Sequence, residues 1–554
     1  MADRRHLTLR IEGMSCDGCA RHVEKALSGV PGVESAEVGD WKEGMASVVA
    51  GATVSEQDLT SAVEKAGYKA VVESTTQLRP DARVPRARDA DFDLMVIGGG
   101  SAAFAAAIKA SELGARAAIV EQDTIGGTCV NVGCVPSKTL IKAAEICYHT
   151  AYSNFKGFDT CPPPREWQTV VRQKDELVEY LRKEKYENVL KAYPSVKLIR
   201  GHAQLLGPRE VQVDGQTYRP GKIVVATGSS NFAPPIPGLK EAGCLDSTAA
   251  LSLQALPQSM IVIGGGSIGL ELSQLFQRFG VRVTLLEVMD RIAAAEEPEI
   301  SDALKKYLGE ERMRLLTGVK IEHVERSGNE YRVQIQVAGQ PETLTAEQLL
   351  VSTGRRANTS GFGLEKAGVE LGRKGEIKVD RHLQTTNPDI YAAGDVTGDP
   401  MFVYVAAYAG SLAAENALTG VGKVYDLSAL PRVTFTDPQI ASVGATEEQA
   451  RAAGLEVESA LLPAAHIPRA QASRNLKGLI KLVRERGTGR LVGAHVLTAE
   501  GGEVIQEATL AIRLKLTTED IIKTYHPYLT MVEGMKLAAL TFTKNVEQLS
   551  CCAA

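Results

Sequence analysis

DFDLMVIGGGSAAFAAAIKASELGARAAIVEQ, residues 91–122, is the stretch on which the fold turns. An apolar run leads into a glycine turn, an alanine-rich segment of helical length follows, and a second apolar run ends in Glu121. That succession is a βαβ unit carrying G-x-G-x-x-A at Gly98, Gly100 and Ala103. The small residues allow a tight turn, a close backbone approach to a pyrophosphate and tight helix packing, with the phosphates at the helix N-terminus. The pattern returns in SMIVIGGGSIGLELSQLFQRFGVRVTLLEVMD, residues 259–290, with Gly264, Gly266, Gly269 and a closing Glu287. Gly264 follows Gly98, and Glu287 follows Glu121, by the same 166 residues. In each unit the acid stands 21 residues after the second glycine, where a carboxylate can take ribose hydroxyls. One glycine turn is weak evidence; two, each set between strand and helix, predict two nucleotide-binding units in an α/β fold.

Each unit is followed by an apolar strand ending in Thr-Gly: IVVATGS at 223–229 and LLVSTGRRANT at 349–359. DIYAAGDVTG, 389–398, sets Gly394 and Asp395 after another short strand, where the Asp can bind a ribityl or ribose hydroxyl. Singly, each reads equally well as a strand-ending turn. The chain has 554 residues, 44% hydrophobic and 23% charged, with a net charge of -5, so it has room for several cores and no electrostatic pull towards nucleic acid. No apolar run reaches membrane-span length and no secretory leader is visible, which places the chain in the cytoplasm with no membrane insertion.

Residues 1–75 read as a separate unit: strand-like HLTLRI, helical CARHVEKALSGV, two strands, helical EQDLTSAVEKAG and strand-like YKAVVES. That order is a ferredoxin-like βαββαβ module. TTQLRPDARVPRARD, starting at residue 75, is polar and aperiodic, and 76–90 are expected to form an exposed linker.

Nine cysteines are too few for a disulfide scaffold. Cys147, Cys161 and Cys244 stand alone and read as ordinary packed or surface thiols, whereas Cys16/Cys19, Cys129/Cys134 and Cys551/Cys552 form close pairs. GGTCVNVGCVPSKTLIKAAE, 126–145, leads into a helix, where a thiol pKa is lowered by unpaired amides. Its C-x4-C spacing is not that of a zinc finger. GMSCDGCA, 13–20, sets Cys16 and Cys19 after the first strand, opening a helix. A thioredoxin-type pair and half a zinc site compete there with soft-metal transfer. The adjacent Cys551 and Cys552 suit a pair of soft ligands better than a strained vicinal disulfide.

GGTCVNVGCVPSK, the two glycine units, ATG at 226–228 and YAAGD at 391–395 together resemble the FAD-dependent pyridine nucleotide-disulfide oxidoreductases, the family of glutathione reductase and dihydrolipoamide dehydrogenase, over residues 91–554. The resemblance implies an FAD-binding domain at 91–228 and 357–425, a NAD(P)-binding domain at 229–356 and an α+β dimerisation domain at 426–554. Implied flavin contacts are Gly98, Gly100, Ser101, Ala102, Ala103, Glu121, Gly127, Thr128, Lys138, Ala226, Thr227, Gly228, Gly394 and Asp395. Implied nicotinamide-nucleotide contacts are Gly264, Gly266, Ile268, Gly269, Glu287, Gly354 and Arg355. Cys134 would be the flavin-proximal thiol and Cys129 the interchange thiol, with Lys138 and Glu271 paired beside the flavin, although each could be a plain surface charge.

GMxCxxC in a βαββαβ module resembles the heavy-metal-associated domains, which makes Cys16 and Cys19 metal ligands. With the Cys-Cys tail, the chain is similar to the mercury(II)-reducing branch of the flavoprotein family. This implies an NADPH-dependent homodimer acting on Hg(II) as its thiol adduct, supplied in part by a mercury transporter through the head module. Cys551 and Cys552 of the partner subunit would pass the metal to Cys129 and Cys134, with Tyr186 and Tyr528 lining the site unless they simply pack. Two details resist. Glu287 is the acid expected for NADH, with only Arg291 nearby to counter it, and His526-Pro527 has Met531 where disulfide-reducing relatives carry their Glu; Glu533 lies two residues late, so no intact acid–base dyad is expected.

Overall fold

The computed structural model describes residues 4–39, 41–42, 44–51, 53–78, 89–157, 166–398 and 400–545. The head is the expected βαββαβ module: four antiparallel strands in the order Val33–Val38, Met45–Gly51, Arg4–Glu12, Lys69–Leu78, covered by helices Asp17–Ser28 and Glu56–Lys65. Helix Asp17–Ser28 buries Ala20, Val23 and Leu27, one helical face, against Leu7, Leu9 and Val48. The last strand runs to Leu78, three residues into the stretch read as linker, because it pairs with Arg4–Glu12 along its full length. Residues 79–88, most of that linker, lie outside the described residues.

Residues 94–392 build two parallel sheets. The first has the strand order Ile390–Ala392, Lys222–Val225, Leu94–Ile97, Ala117–Glu121, Val196–Arg200. Its strands are near-continuous apolar runs because helices cover one face and the antiparallel strands Ala203–Gly207 and Glu210–Val213 help cover the other. The alanine-rich helix Ser101–Glu112 lets helix Val403–Thr419 come so close that a Cβ at Gly410 would lie 2.0 Å from Ala102 O. The second sheet runs Arg314–Leu316, Arg282–Leu286, Ser259–Ile263, Gln348–Val351, with Phe276 of helix Ser267–Arg278 fully buried beneath it.

Ile390–Ala392 returns to the first sheet after the second has been completed. The Gly98 turn, Glu121, Ala226–Gly228 and Gly394 therefore converge at one end, the carboxyl ends of parallel strands, which is where open α/β sheets bind ligands. The C-terminal region is an antiparallel sheet, Arg432–Thr434, Gln439–Gly444, Leu491–Thr498, Leu479–Glu485, Val457–Pro463, backed by helices Gly501–Arg513 and Glu533–Leu540. Among the described residues no helix is long and apolar enough to cross a membrane.

Candidate active site and metal-handling thiols

Cys129 lies in the short helix Gly127–Asn131, and Cys134 is the first residue of helix Cys134–Ala151. The Cys129 thiol donates to Cys134, which is pulled down to about 7; burial opposes this and the Lys138 charge assists. The same hydrogen bond, with burial, pushes Cys129 well above the ordinary thiol range. As pH rises through about 7 the pair becomes one thiolate and one thiol, with the negative charge on Cys134.

One turn along, Lys138 Nζ donates to Glu271 Oε2 at 2.7 Å. Glu271 is only 5% exposed, and its Oε1 accepts from Phe435 N at 2.8 Å, while Lys138 Nζ sits 4.8 Å from the centre of the Phe435 ring. One carboxylate thus ties the helix of the dithiol to the second nucleotide helix and to the C-terminal region.

Tyr186 is delivered by a π-helical turn, Lys183–Glu187, inserted between helices Trp167–Arg182 and Asn188–Lys191. Its hydroxyl meets Ser101 Oγ at 3.3 Å, its ring stands edge-on to Phe104, and its hydroxyl pKa is raised by burial and further by Cys129 and Cys134. Tyr404, which sequence reading missed, also feels the Cys134 charge: burial first, then that thiolate, push it up to about 12, and its hydroxyl donates to Pro431 O. No local motif marks it.

Flavin fit can be tested on the first unit. A cleft of about 380 Å³ runs past Gly98, Glu121, His202, Thr227 and Asn358. A Cβ at Gly98, where φ is +116°, would strike Ala226 O at 2.3 Å, so the turn has no room for a side chain and its backbone closes on the cleft. Asp395 accepts from Ser229 Oγ at 2.7 Å. These residues suit a dinucleotide. Arg355, read from sequence as a nicotinamide contact, donates to Ser229 Oγ at 2.7 Å and Asn231 Oδ1 at 2.8 Å, with Thr128 Oγ1 at 3.5 Å.

In the head, Cys16 caps helix Asp17–Ser28, and its Sγ lies 3.4 Å from that of Cys19. Cys19 is pulled down to about 6, first by the Ser15 backbone, then by the hydroxyls of Tyr68 and Ser15 and by Cys16. Tyr68, on the turn before the last strand, is the second residue that sequence reading passed over. Among the described residues no three His, Cys, Asp or Glu gather as a metal site, so each dithiol offers two soft ligands without a hard third.

Tyr528 and His526 lie in the C-terminal region. Tyr528 is 54% exposed on the turn between helices Thr518–Lys523 and Glu533–Leu540. His526 does have a carboxylate partner, contrary to expectation: Nε2 meets Glu507 Oε1 at 2.8 Å, and Nδ1 faces Thr524 O at 3.0 Å. Glu507 comes from helix Gly501–Arg513, so a search downstream of the histidine could not find it. Cys161, Cys551 and Cys552 lie outside the described residues.

Fold and dithiol together define a class, and comparison with known proteins agrees. The pyridine nucleotide-disulphide oxidoreductase family matches residues 92–410, its dimerisation domain matches 430–539, and the heavy-metal-associated domain matches 8–69. Among solved structures, the HOCl-induced flavoprotein disulfide reductase RclA from Escherichia coli is 29% identical with a TM-score of 0.72, over 81% of this chain and 99% of that one. The mercuric reductase of Staphylococcus aureus is 44% identical over 98% of both chains, and that of Acidithiobacillus ferrooxidans 42% over 100% of both. The chain belongs to the mercuric reductase family of pyridine nucleotide-disulphide oxidoreductases.

Proposed function

We propose that the protein reduces thiol-bound Hg(II) to Hg(0) with two electrons from a reduced nicotinamide nucleotide, which is oxidised with release of one proton. The observation that carries this is the Cys129/Cys134 pair, one thiol and one thiolate at a helix N-terminus, on a chain with a second, open dithiol at Cys16 and Cys19. FAD, when bound, supplies the two-electron relay. The Gly98 turn, Glu121 and Asp395 would hold it, and the Gly264 turn with Glu287 would hold the nicotinamide nucleotide.

Cys134 is the ready ligand for the metal, and Cys129 joins it by giving up its proton, so two thiolates hold a linear soft cation. Lys138 sets a positive charge beside that site, and Glu271 holds the ammonium in place while partly offsetting its effect on Cys134. Tyr186 closes one wall. Cys551 and Cys552, acting from the partner subunit of a homodimer built on residues 426–554, are proposed as the entry ligands. A metal donor to the head module and a cytoplasmic setting, where thiols stay reduced, complete the reading.

The test is nucleotide oxidation by the purified flavoprotein with HgCl2 and excess small thiol, while mercury vapour is trapped. One Hg(0) released per nucleotide oxidised is expected; oxidation without mercury, or inhibition by it, overturns the proposal. The His526–Glu507 pair favours a second activity on disulfides, since an imidazole paired with a carboxylate can protonate a leaving thiolate. Turnover of lipoamide measures it.

A further inference from the structure

The two nucleotide units repeat one another in atomic detail, which bears on which nicotinamide nucleotide the second accepts. In the first unit Gly98 N donates to Val120 O at 2.8 Å and Gly126 N to Gly99 O at 2.8 Å; in the second, Gly264 N donates to Leu286 O at 2.8 Å and Ala293 N to Gly265 O at 2.9 Å. Each closing carboxylate accepts from the amide two residues on: Asp123 N to Glu121 Oε1 at 2.8 Å and Met289 N to Glu287 Oε1 at 2.8 Å. Each carboxylate also lies against the middle glycine, a Cβ at Gly99 falling 2.6 Å from Glu121 Oε2 and one at Gly265 2.9 Å from Glu287 Oε2. FAD, which the first unit would hold, carries a free 2′-hydroxyl on its adenosine ribose. The second unit copies that cradle.

Glu287 is 9% exposed, and Oε2 takes the Gly265 amide at 2.5 Å, so the carboxylate cannot swing away from a bound ribose. Its remaining lone pairs can accept two ribose hydroxyls. A 2′-phosphate, carrying about -1.5 to -2 charges, would instead face a fixed negative group. The neighbouring positions offer no compensation: Val288 and Met289 are exposed and apolar, and Asp290 is a further acid. Arg291, the one cation of that loop, is turned back on it, donating to Ala294 O at 3.0 Å and facing Asp290 at 3.6 Å. The loop is pinned as well, since Gly318 N donates to Met289 O at 2.7 Å.

We infer that Glu287 makes this protein select NADH over NADPH. The inference rests on the reading of residues 259–351 as the nicotinamide-nucleotide unit, and it deepens that reading.

The experiment is calorimetric titration of the oxidised holoenzyme with NAD+ and with NADP+, alongside anaerobic flavin reduction by NADH and by NADPH followed at the flavin band. NAD+ is expected to bind at least roughly tenfold more tightly, a difference of about 1.4 kcal/mol, and NADH to reduce the flavin correspondingly better at low concentration. Glu287→Gln should narrow the gap, chiefly by tighter NADP+ binding. Met289→Arg, an exposed position, should do so without touching the carboxylate's own hydrogen bonds, and it carries the test if Glu287→Gln does not fold. Equal or tighter binding of NADP+ by the unaltered protein, or a gap left unchanged by the arginine variant and by any folded Glu287→Gln, overturns the inference. If neither nucleotide binds nor reduces the flavin, the reading of the unit fails first and the inference falls with it.

Discussion

Cys16 and Cys19 stand 3.4 Å apart at the open start of a helix, while Cys129 donates its thiol proton to Cys134 at the start of another, in the electrostatic field of Lys138, Glu271 and Tyr186. Both pairs use a helix N-terminus, yet they reach their charge by different means. In the head, the Ser15 backbone, Tyr68 and Ser15 hydroxyls and Cys16 hold Cys19 near 6, with burial a minor opposing effect. In the catalytic body the Cys129 proton is the main force on Cys134, so lowering one thiol raises the other. On the proposed function, the comparison teaches that a carrier pair is ionised by its own turn, whereas the reducing pair sets one thiol's charge against the other's proton.

The strongest way to break that division is to remove each pair in turn. Cys134→Ala should lower mercury-dependent nucleotide oxidation by at least ~10³-fold, as loss of a group used in the reaction itself does. Cys16→Ala/Cys19→Ala, assayed with a small-thiol adduct in excess, should cost only a few-fold. Comparable losses in the two variants would erase the distinction between carrier and catalyst.

A subtler test is alkylation of the reduced full-length protein across pH, with each cysteine's rate followed by mass spectrometry. Cys19 should become reactive through a midpoint near 6 and Cys134 through one near 7, while Cys129 stays protected into the alkaline range. The sign carries over to stability. Because the folded pKa of Cys19 lies below its ordinary value of 9.0, ionised Cys19 stabilises the head above that value, and the contribution fades as pH falls through 6. Tyr68→Phe should move the Cys19 midpoint upward and leave that of Cys134 in place.

The smallest effect concerns the scaffolds. Ser55 caps helix Glu56–Lys65 through a reciprocal bond with Asp58. Ser55→Ala should lower the stability of the head by about 1 kcal/mol. Denaturant unfolding should show the head's transition shifted and the flavin-release transition unmoved. A shared shift would mean that the two regions unfold as one.

Much of the architecture was legible because it is local. Glycine spacing announces both nucleotide units, strand and helix periodicity announces the head, and C-x4-C and C-x-x-C announce the thiols. Lys138 and Glu271 were matched by resemblance, and the structure brings them to 2.7 Å. Tyr68, Tyr404 and Glu507 could not be found this way, since each acts on a partner distant along the chain: Tyr68 on Cys19, Glu507 on His526, and Tyr404 in the field of Cys134. Arg355 was visible as a cation after a Thr-Gly turn, but its direction was not; strand Arg355–Ala357 pairs with Ser229–Asn231, and that register turns the guanidinium towards Thr128.

The sequence by itself determined the class of fold, the cofactor units and the identity of the thiols, because turns, caps and helix periods depend on residues a few places apart. Only the tertiary structure decided which thiol of the Cys129/Cys134 pair carries the charge, which carboxylate serves His526, and how tightly Glu287 is held. Those outcomes depend on burial and on hydrogen bonds across the chain, and a pKa or a charge preference is set by the summed field of neighbours that folding brings together.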